Sequence, residues 1–280
     1  MQDVLPGAPY PPHRFHFISG LPRSGSTLLA ALLRQNPRFH ADMSSPVAGL
    51  VHSLLGEMSK RNEFSGVVDD HQRKRVLTRV VSAFYEDQTA EVIFDTNRSW
   101  CTDIALLQEL LPGTKVIACV RDIVWILDSV ERLVQRNVFQ PSGLFGYRTD
   151  GSIYTRAETL TAHDGLVGSA YNALKQAYYG AHSVSLMLLQ YETLARDPGR
   201  AMEAVYRFIG ETPFMHDFDH AQYDACDFDA RMGTPGLHDV RAKVEFSERS
   251  TIVPPDLIKR YADSAFWKIP SLNTRNVLVV

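Results

Sequence analysis

Short, uniformly apolar runs alternate along this chain with longer segments whose apolar residues recur at helical spacing. The runs predict strands at 14–19, 91–95, 115–120 and 184–190. The amphipathic segments predict helices at 26–33, 70–88, 102–111, 122–136, 154–179, 199–209 and 255–262. Because the strands are apolar throughout and are separated by helices, they indicate an α/β fold with a parallel sheet buried on both faces.

The chain is predicted to form one domain. Its 280 residues are near the upper end for a single hydrophobic core. No shift of composition marks a boundary, so we expect an N-terminal tail over 1–13 and a single domain over 14–280. Three predicted loops, at 40–69, 137–154 and 212–253, are long enough to shape a substrate site.

The charge and cysteine content exclude several classes of protein. A net charge of −3 argues against nucleic-acid binding through bulk electrostatics, so any basic site must be local. Cys101, Cys119 and Cys226 follow neither a metal-binding nor a disulfide spacing, which favours a reducing compartment and predicts a cytoplasmic protein. The proline-rich start lacks a signal-peptide pattern, and no apolar run approaches the roughly 18 residues of a membrane span.

A glycine-bounded loop between the first strand and the first helix carries the strongest functional signal. The loop has the sequence GLPRSGST, from Gly20 to Thr27. Backbone N–H groups and the helix dipole create an anion site in this position. Gly25 lets the backbone approach a ligand closely, and Ser24, Ser26 and Thr27 can add hydroxyl donors. The pattern predicts a phosphate cradle in a P-loop-like sheet.

This loop differs from the triphosphate loop of kinases and ATPases. That motif requires Gly-x4-Gly-Lys-Ser/Thr, and its lysine acts with Mg²⁺ on the β- and γ-phosphates. Here Ser26 occupies the lysine position, and the cation comes earlier, at Arg23. No predicted strand supplies a clear second aspartate motif for magnesium. The loop therefore predicts a phosphate-bearing ligand that is handled without a metal.

A second anion site is predicted at the end of the strand at 115–120. Arg121 follows this strand at the edge where parallel sheets bind ligands, and its planar guanidinium suits a phosphate. Ser129 lies eight residues later, about two helical turns along, and can face the same side. Alone, Arg121 could equally pair with Asp128 or Glu131 at the surface. With the first loop, the pair predicts two separate anion sites at this edge of the sheet.

The segment LPRSGSTLL, from Leu21 to Leu29, resembles the 5′-phosphosulfate-binding loop of the sulfotransferase family. It is similar to the arginine-bearing form of Golgi, tyrosylprotein and many bacterial members. The resemblance implies the sulfotransferase fold and transfer of a sulfuryl group from 3′-phosphoadenosine 5′-phosphosulfate (PAPS). By this resemblance, Arg23 polarises the sulfuryl group, and the 3′-phosphate is held at the second site. The donor-binding residues that it implies are Arg23, Ser24, Gly25, Ser26, Thr27, Leu28, Arg121 and Ser129.

Two later segments match the family in part. Tyr191, in the sequence YETL, resembles a tyrosine that the family places near the adenine. Arg241 and Lys243 resemble the late basic loop that closes over the 3′-phosphate, although the Arg-Lys-Gly triplet of the cytosolic enzymes is absent. Without a ligand, Tyr191 could equally cap the core, and the two cations could lie on a solvated loop.

The base that takes the acceptor's proton is missing from both positions where the family has it. Cytosolic members use a histidine after the strand that corresponds to 91–95, where this chain has none. We favour Asp95 as the base, with Arg98 as a cation. Tyrosylprotein and carbohydrate enzymes use a glutamate where this chain has Ser44. His40 and Asp42 remain alternatives.

The combined prediction is a PAPS-dependent sulfotransferase that acts on a hydroxyl or amine of an unidentified acceptor. The acceptor can be a small molecule, a carbohydrate or a lipid. No metal, nucleic acid or membrane span is expected, and a homodimer is left open. Two alternatives stay open, namely an atypical small-molecule kinase and a nucleotide-binding module without catalysis.

Overall fold

A computed structural model describes residues 13–59, 63, 65–147, 151–231 and 233–280. In this part of the chain six strands form one parallel sheet in the order β2-β3-β1-β4-β5-β6. The strands are β1 (Arg14–Gly20), β2 (Phe39–Ala41), β3 (Val92–Thr96), β4 (Val116–Val120), β5 (Leu186–Gln190) and β6 (Leu278–Val279). The predicted parallel α/β sheet is confirmed.

Helices connect these strands. In the described residues they are α1 (Ser26–Leu33), α2 (Val47–Ser59), α3 (Asp70–Phe84), α4 (Ile104–Leu110), α5 (Ile123–Arg136), α6 (Ile153–Thr161), α7 (Leu166–Tyr179), α8 (Tyr191–Arg196), α9 (Pro198–Ile209), α10 (Cys226–Arg231) and α11 (Pro255–Tyr261). Short 3₁₀ turns lie between several of them, including one at Arg98–Cys101 that precedes α4.

Both faces of the sheet are buried, because successive side chains of each strand point to opposite sides. In β1, Phe17 joins a core that includes apolar residues of α2 to α7 and α11. Its neighbour Ile18 joins the opposite core, which α1 and α9 cover. In β4, Ala118 packs in the first of these cores and its neighbour Cys119 in the second. This arrangement explains why the strands are apolar throughout.

The predicted motifs lie at the edge of the sheet that is formed by the carboxyl ends of the strands. The chain moves from β1 outward to β2 and back through β3, then crosses to β4 and β5 on the other side of β1. Such a reversal of strand order opens a crevice at the carboxyl ends of the strands. The loops after β1, β3, β4 and β5 all start at this crevice.

The predicted helix at 154–179 is wrong, because two helices occupy this range. The chain leaves helical geometry at Ala162, whose ψ is 152°. Gly165 then begins α7 in contact with the end of α6, where a Cβ would collide with the carbonyl oxygens of Thr159 and Leu160. Helical periodicity continues on both sides of this corner, so the pattern alone did not reveal it.

The predicted loop at 40–69 and the tail after 262 also contain regular structure. Helix α2 buries Val47, Ala48 and Val51, but most of its other side chains are polar or exposed, so its pattern is weak. Strand β6 is two residues long and pairs with β5 through Met187 and Leu188. The predicted helix at 70–88 ends earlier, at Phe84, and the strand at 184–190 begins at Leu186.

Candidate active site

The loop after β1 has a backbone that only certain residues tolerate. Gly20, Arg23 and Gly25 all have positive φ, at 101°, 58° and 94°. A Cβ on Gly20 would collide with the backbone of Cys119 in β4, so glycine is required where β1 ends. This turn aims the first turn of α1 at the crevice.

Ser24 differs from its predicted role. Its side chain is fully buried, and its hydroxyl donates to the carbonyl oxygens of Leu21 and Cys119, the latter at 2.8 Å. The hydroxyl therefore holds the loop against β4, and Ser24 is not among the residues that line the cavity described below. Ser26 and Thr27, in contrast, line the cavity described below, and their hydroxyls have no hydrogen-bond partner among the described residues.

Arg23 lies between the two predicted anion sites. Its Nε donates a hydrogen bond of 3.1 Å to Ser129 Oγ on α5. Burial, followed by the positive charge of Arg121, lowers the pKa of Arg23 to about 10. The guanidinium therefore remains charged at neutral pH, and it makes no direct ion pair with a carboxylate of the described residues.

Arg121 faces the same loop. Its Nη1 lies 3.5 Å from the Arg23 carbonyl oxygen, and its guanidinium stacks 4.0 Å above the Tyr191 ring. The nearest carboxylate, Glu192, lies 3.8 Å from Nε, which is too far for a hydrogen bond, and Nε has no other partner. Burial lowers the pKa of Arg121. Arg121, Ser129 and Tyr191 thus line one cavity.

A cavity of about 430 Å³ joins these residues. Leu28, Arg98, Arg241 and Lys243 line it together with the loop. Its lysines and arginines are Arg23, Arg98, Arg121, Arg136, Arg241, Lys243 and Arg249, whereas its carboxylates are Asp239 and Glu245. The cavity is strongly cationic although the chain carries a net charge of −3.

Several polar groups in this cavity have no partner. Within the described residues, the side chains of Arg98, Arg136 and Arg241 make neither a hydrogen bond nor an ion pair. Thr96 Oγ1, at the end of β3, is buried without a hydrogen-bond partner. Unpaired cations and an orphaned hydroxyl fit an anionic ligand that carries oxygen atoms.

Arg249 was missed by the sequence analysis. Its Nη2 donates to Asp128 Oδ2 at 2.6 Å, and its charge contributes to the lowered pKa of Arg121. Asp128 also accepts from Arg132 and from the backbone N–H of Ile252. Asp128 is thus occupied by these groups and makes no direct ion pair with Arg121 in the described part of the chain. The only sequence signal was a further cation in the late basic segment.

Asp95 is placed outside the cavity. It is fully buried, and its carboxylate accepts hydrogen bonds from Ser45 Oγ at 2.5 Å, Tyr85 Oη at 2.6 Å and Trp100 Nε1 at 2.5 Å. Burial raises its pKa despite these donors. This placement does not support Asp95 as the base, because an acceptor cannot reach it. Its contacts brace the turn that carries Arg98.

The two alternative bases also lie outside the cavity lining. His40 Nε2 contacts Asp42 Oδ2 at 3.2 Å, and the hydrogen bond from His40 is the main cause that lowers the pKa of Asp42. Asp42 also lies 3.4 Å from Arg34. Their neighbours Met43 and Ser44 do line the cavity. The glutamate expected at position 44 would therefore have reached it, and this chain has a serine there.

A histidine that the sequence analysis passed over lies in the cavity wall. His238 Nδ1 is 2.5 Å from Asp229 Oδ1, and the backbone N–H of His238 donates to Asp229 Oδ2 at 2.8 Å. Asp229 belongs to α10, and its side chain is 2% exposed, against 17% for His238. The segment HDVRAKVE drew attention through its arginine and lysine, and the histidine that opens it carried no known motif.

The fold and this cavity define an α/β protein with a glycine-bounded loop between its first strand and first helix that lines a cationic cavity. A family model described as "Sulfotransferase family" matches residues 16–216. The chain therefore belongs to the sulfotransferase family. A comparison with curated protein sequences finds no match.

Solved structures share the fold at low sequence identity. A sulfotransferase from Alicyclobacillus acidocaldarius aligns with a TM-score of 0.52 and 13% identity, over 94% of this chain and 96% of its own. A sulfotransferase domain from the curacin biosynthetic pathway aligns with a TM-score of 0.51 and 15% identity, over 90% and 91%. At these identities the likeness establishes the fold.

No helix in the described part of the chain is long and apolar enough to cross a membrane. Its three cysteines are unpaired thiols, of which Cys226 is exposed.

Proposed function

We propose that this protein transfers the sulfuryl group of PAPS to a hydroxyl or amine of an acceptor. The observation that carries the proposal is the pairing of two anion sites in one cavity. One site is the loop from Gly20 to Thr27, and the other is formed by Arg121 and Ser129. PAPS carries anionic groups on both ends of its ribose, and this cavity offers cations and hydroxyls for both.

The donor is held by cationic and hydroxyl groups that line the cavity. The N–H groups at the start of α1, with the hydroxyls of Ser26 and Thr27, bind the 5′-phosphosulfate. Arg121, Ser129 and Arg249 bind the 3′-phosphate, and Arg241 and Lys243 add positive charge from the late segment. Tyr191, whose ring already stacks on Arg121, borders the nucleoside. No metal is required for these contacts, since seven cationic side chains line the cavity.

The transfer step needs stabilisation of the charge that develops on the leaving oxygen. The acceptor oxygen attacks sulfur, and the bond between sulfur and the bridging oxygen breaks, so negative charge grows on the 5′-phosphate. Arg23 is placed beside the loop to meet this charge, and Arg98 lines the cavity with no competing partner. Fixed cations aimed at developing charge lower a barrier without reorganisation.

A thermal-shift titration tests the donor assignment. Adenosine 3′,5′-bisphosphate (PAP), adenosine 5′-monophosphate (AMP) and ATP with Mg²⁺ are compared at equal concentrations. PAP should give the largest rise in Tm, because a ligand present at 100 times its Kd stabilises by about 2.7 kcal/mol. Arg121→Ala should remove most of that rise. A larger effect of ATP with Mg²⁺ would instead support a kinase.

We also propose that the protein works in a reducing compartment such as the cytoplasm, in keeping with its three free thiols. The acceptor class, whether small molecule, carbohydrate or lipid, and a homodimeric state remain predictions.

A further inference from the structure

We infer that His238, oriented by Asp229, is the base that removes the acceptor's proton. The inference rests on the proposed sulfuryl transfer and supplies the group that the sequence left unassigned. An acceptor hydroxyl needs such a base because its oxygen is a weak nucleophile until the proton leaves.

The hydrogen bond between the two side chains fixes the role of each nitrogen. A carboxylate can only accept, so Nδ1 of His238 carries the proton that it donates to Asp229 over 2.5 Å. In the neutral ring, Nε2 is then the acceptor. Nε2 has no partner within the described residues, and His238 lines the cavity. A buried carboxylate that orients a histidine is the arrangement found in catalytic triads.

Further hydrogen bonds hold the Asp229–His238 pair in its loop. Asp229 Oδ2 also accepts from the His238 backbone, so the same carboxylate holds the main chain and the ring. The Asp229 carbonyl accepts from Thr234 N at 3.0 Å, which closes the intervening turn. Asn137, at the end of α5, donates to the carbonyl oxygen of Pro235 at 3.1 Å. These contacts connect His238 to the helix that carries Ser129.

His238 lines the same cavity as the loop that is proposed to bind the 5′-phosphosulfate. Burial and Arg121 lower the pKa of Arg23, and Asp229 and Asp239 are the carboxylates whose charges act in the opposite direction. Asp229 is therefore close enough to Arg23 to act on its charge. Among the histidines of the described residues, His238 is the one that lines this cavity.

The chemical step balances with the groups present. The acceptor O–H proton moves to Nε2 of His238 as the acceptor oxygen forms its bond to sulfur. The bond from sulfur to the bridging oxygen breaks, and its electron pair stays on the 5′-phosphate of PAP. The proton later leaves His238 for solvent, which restores the neutral ring.

The test compares His238→Ala, Asp229→Asn and wild type in two assays. PAP affinity is measured by calorimetry, and release of sulfuryl from ³⁵S-labelled PAPS is measured with water and with a panel of phenols, alcohols and sugars. We expect PAP affinity within about threefold of wild type and a fall in kcat of roughly 10²–10⁴-fold for His238→Ala. Added imidazole should restore part of this kcat, and a residue that served only the fold would not be rescued in this way.

Asp229→Asn should lower kcat with little change in KM, because the amide can still hold the His238 backbone but no longer fixes the ring. His220→Ala is the matched control. His220 makes a similar contact with Asp217, at 2.8 Å, but both side chains are exposed and neither lines the cavity. Its kcat should equal that of wild type.

The outcomes separate the two proposals. If wild type transfers sulfuryl and His238→Ala keeps its kcat, the inference is overturned while the proposed function stands. Loss of kcat in Asp239→Asn or Glu245→Gln, with His238→Ala active, would move the base to that carboxylate. Binding of PAP without turnover by wild type would overturn both and indicate a nucleotide-binding module.

Discussion

Arg23 and Ser129, which are 106 residues apart in sequence, share a hydrogen bond of 3.1 Å across the crevice of the sheet. The bond joins the side chain proposed to face the 5′-phosphosulfate to the side chain proposed to face the 3′-phosphate. The two proposed anion sites are therefore joined by a direct contact between their side chains. A change at either residue should affect both ends of the nucleotide, though to different extents.

Removal of the Arg23 guanidinium should abolish transfer. We expect Arg23→Ala to lower kcat by at least about 10²-fold, because a fixed cation next to the leaving oxygen is lost. Arg23→Lys keeps a charge but lacks the Nε that donates to Ser129, so it should retain part of the activity. Both variants are assayed with labelled PAPS. Full activity of Arg23→Ala would show that this loop does not take part in sulfuryl transfer.

The second site should recognise the 3′-phosphate selectively. Arg121→Ala and Ser129→Ala should weaken PAP by roughly 10–100-fold, the usual cost of a lost hydrogen bond to a charged group, and should affect AMP much less. Calorimetric Kd values for both nucleotides provide the measurement. Arg207→Ala, which changes an exposed arginine on α9, is the control. Equal losses for PAP and AMP would show that these residues do not contact the 3′-phosphate.

Asp95→Asn should affect folding more than catalysis. Three donors converge on this buried carboxylate, and an asparagine amide can satisfy only some of them. The expected loss is about 1–3 kcal/mol in the free energy of unfolding, with kcat per folded molecule within about tenfold of wild type. Urea unfolding and the transfer assay measure the two effects. If Asp95→Asn has the stability of wild type but a kcat lowered by more than 10²-fold, Asp95 would again be the favoured base.

His16 should make the protein sensitive to acid. Burial, followed by Arg14 and Lys115, lowers the pKa of His16 from 6.5 to about 4, and its Nδ1 accepts a hydrogen bond from the Lys115 backbone at 3.1 Å. Between these two pKa values the unfolded chain binds more protons than the folded one. The free energy of unfolding should therefore fall, by up to about 3 kcal/mol, as the pH drops from 6.5 to 4.

His16→Asn keeps an acceptor for the Lys115 N–H and cannot titrate, so its unfolding free energy should depend less on pH in this range. Denaturant unfolding at several pH values gives the measurement. His52→Asn, at an exposed histidine on α2, serves as the control. An unchanged pH dependence in His16→Asn would assign the acid sensitivity to other groups.

The sequence predicts a residue's place well when that place depends on the strand, loop or helix that contains the residue. It predicts the place poorly when contacts with distant parts of the chain decide it. The strands, the loop after β1 and the positions of Arg121 and Ser129 follow from local pattern, and the structure brings them together. Asp95 lies one residue before the end of β3, yet its partner Ser45 comes from the loop before α2 and its partner Tyr85 from the residue after α3. Those long-range contacts, which a local pattern does not contain, place it in the core.

The pair formed by Asp229 and His238 was missed for a related reason, because distant contacts bring His238 to the cavity. The two residues are nine positions apart in a segment that lacks periodicity, because its shape depends on contacts with α5 and on backbone hydrogen bonds to 218–221. Arg249 is similar, since its ion pair with Asp128 joins two distant parts of the chain. A polar segment without a pattern could only be predicted as a loop.

The stretch from Gly236 to Arg249 carries both His238 and three cations, Arg241, Lys243 and Arg249, and all four side chains belong to residues that line the cavity. When bound PAPS immobilises the cations of this stretch, it should also fix the position of His238. Sulfation should therefore follow a compulsory order, in which PAPS arrives before the acceptor and PAP departs last. Product-inhibition kinetics would then show PAP competing with PAPS but not with the acceptor.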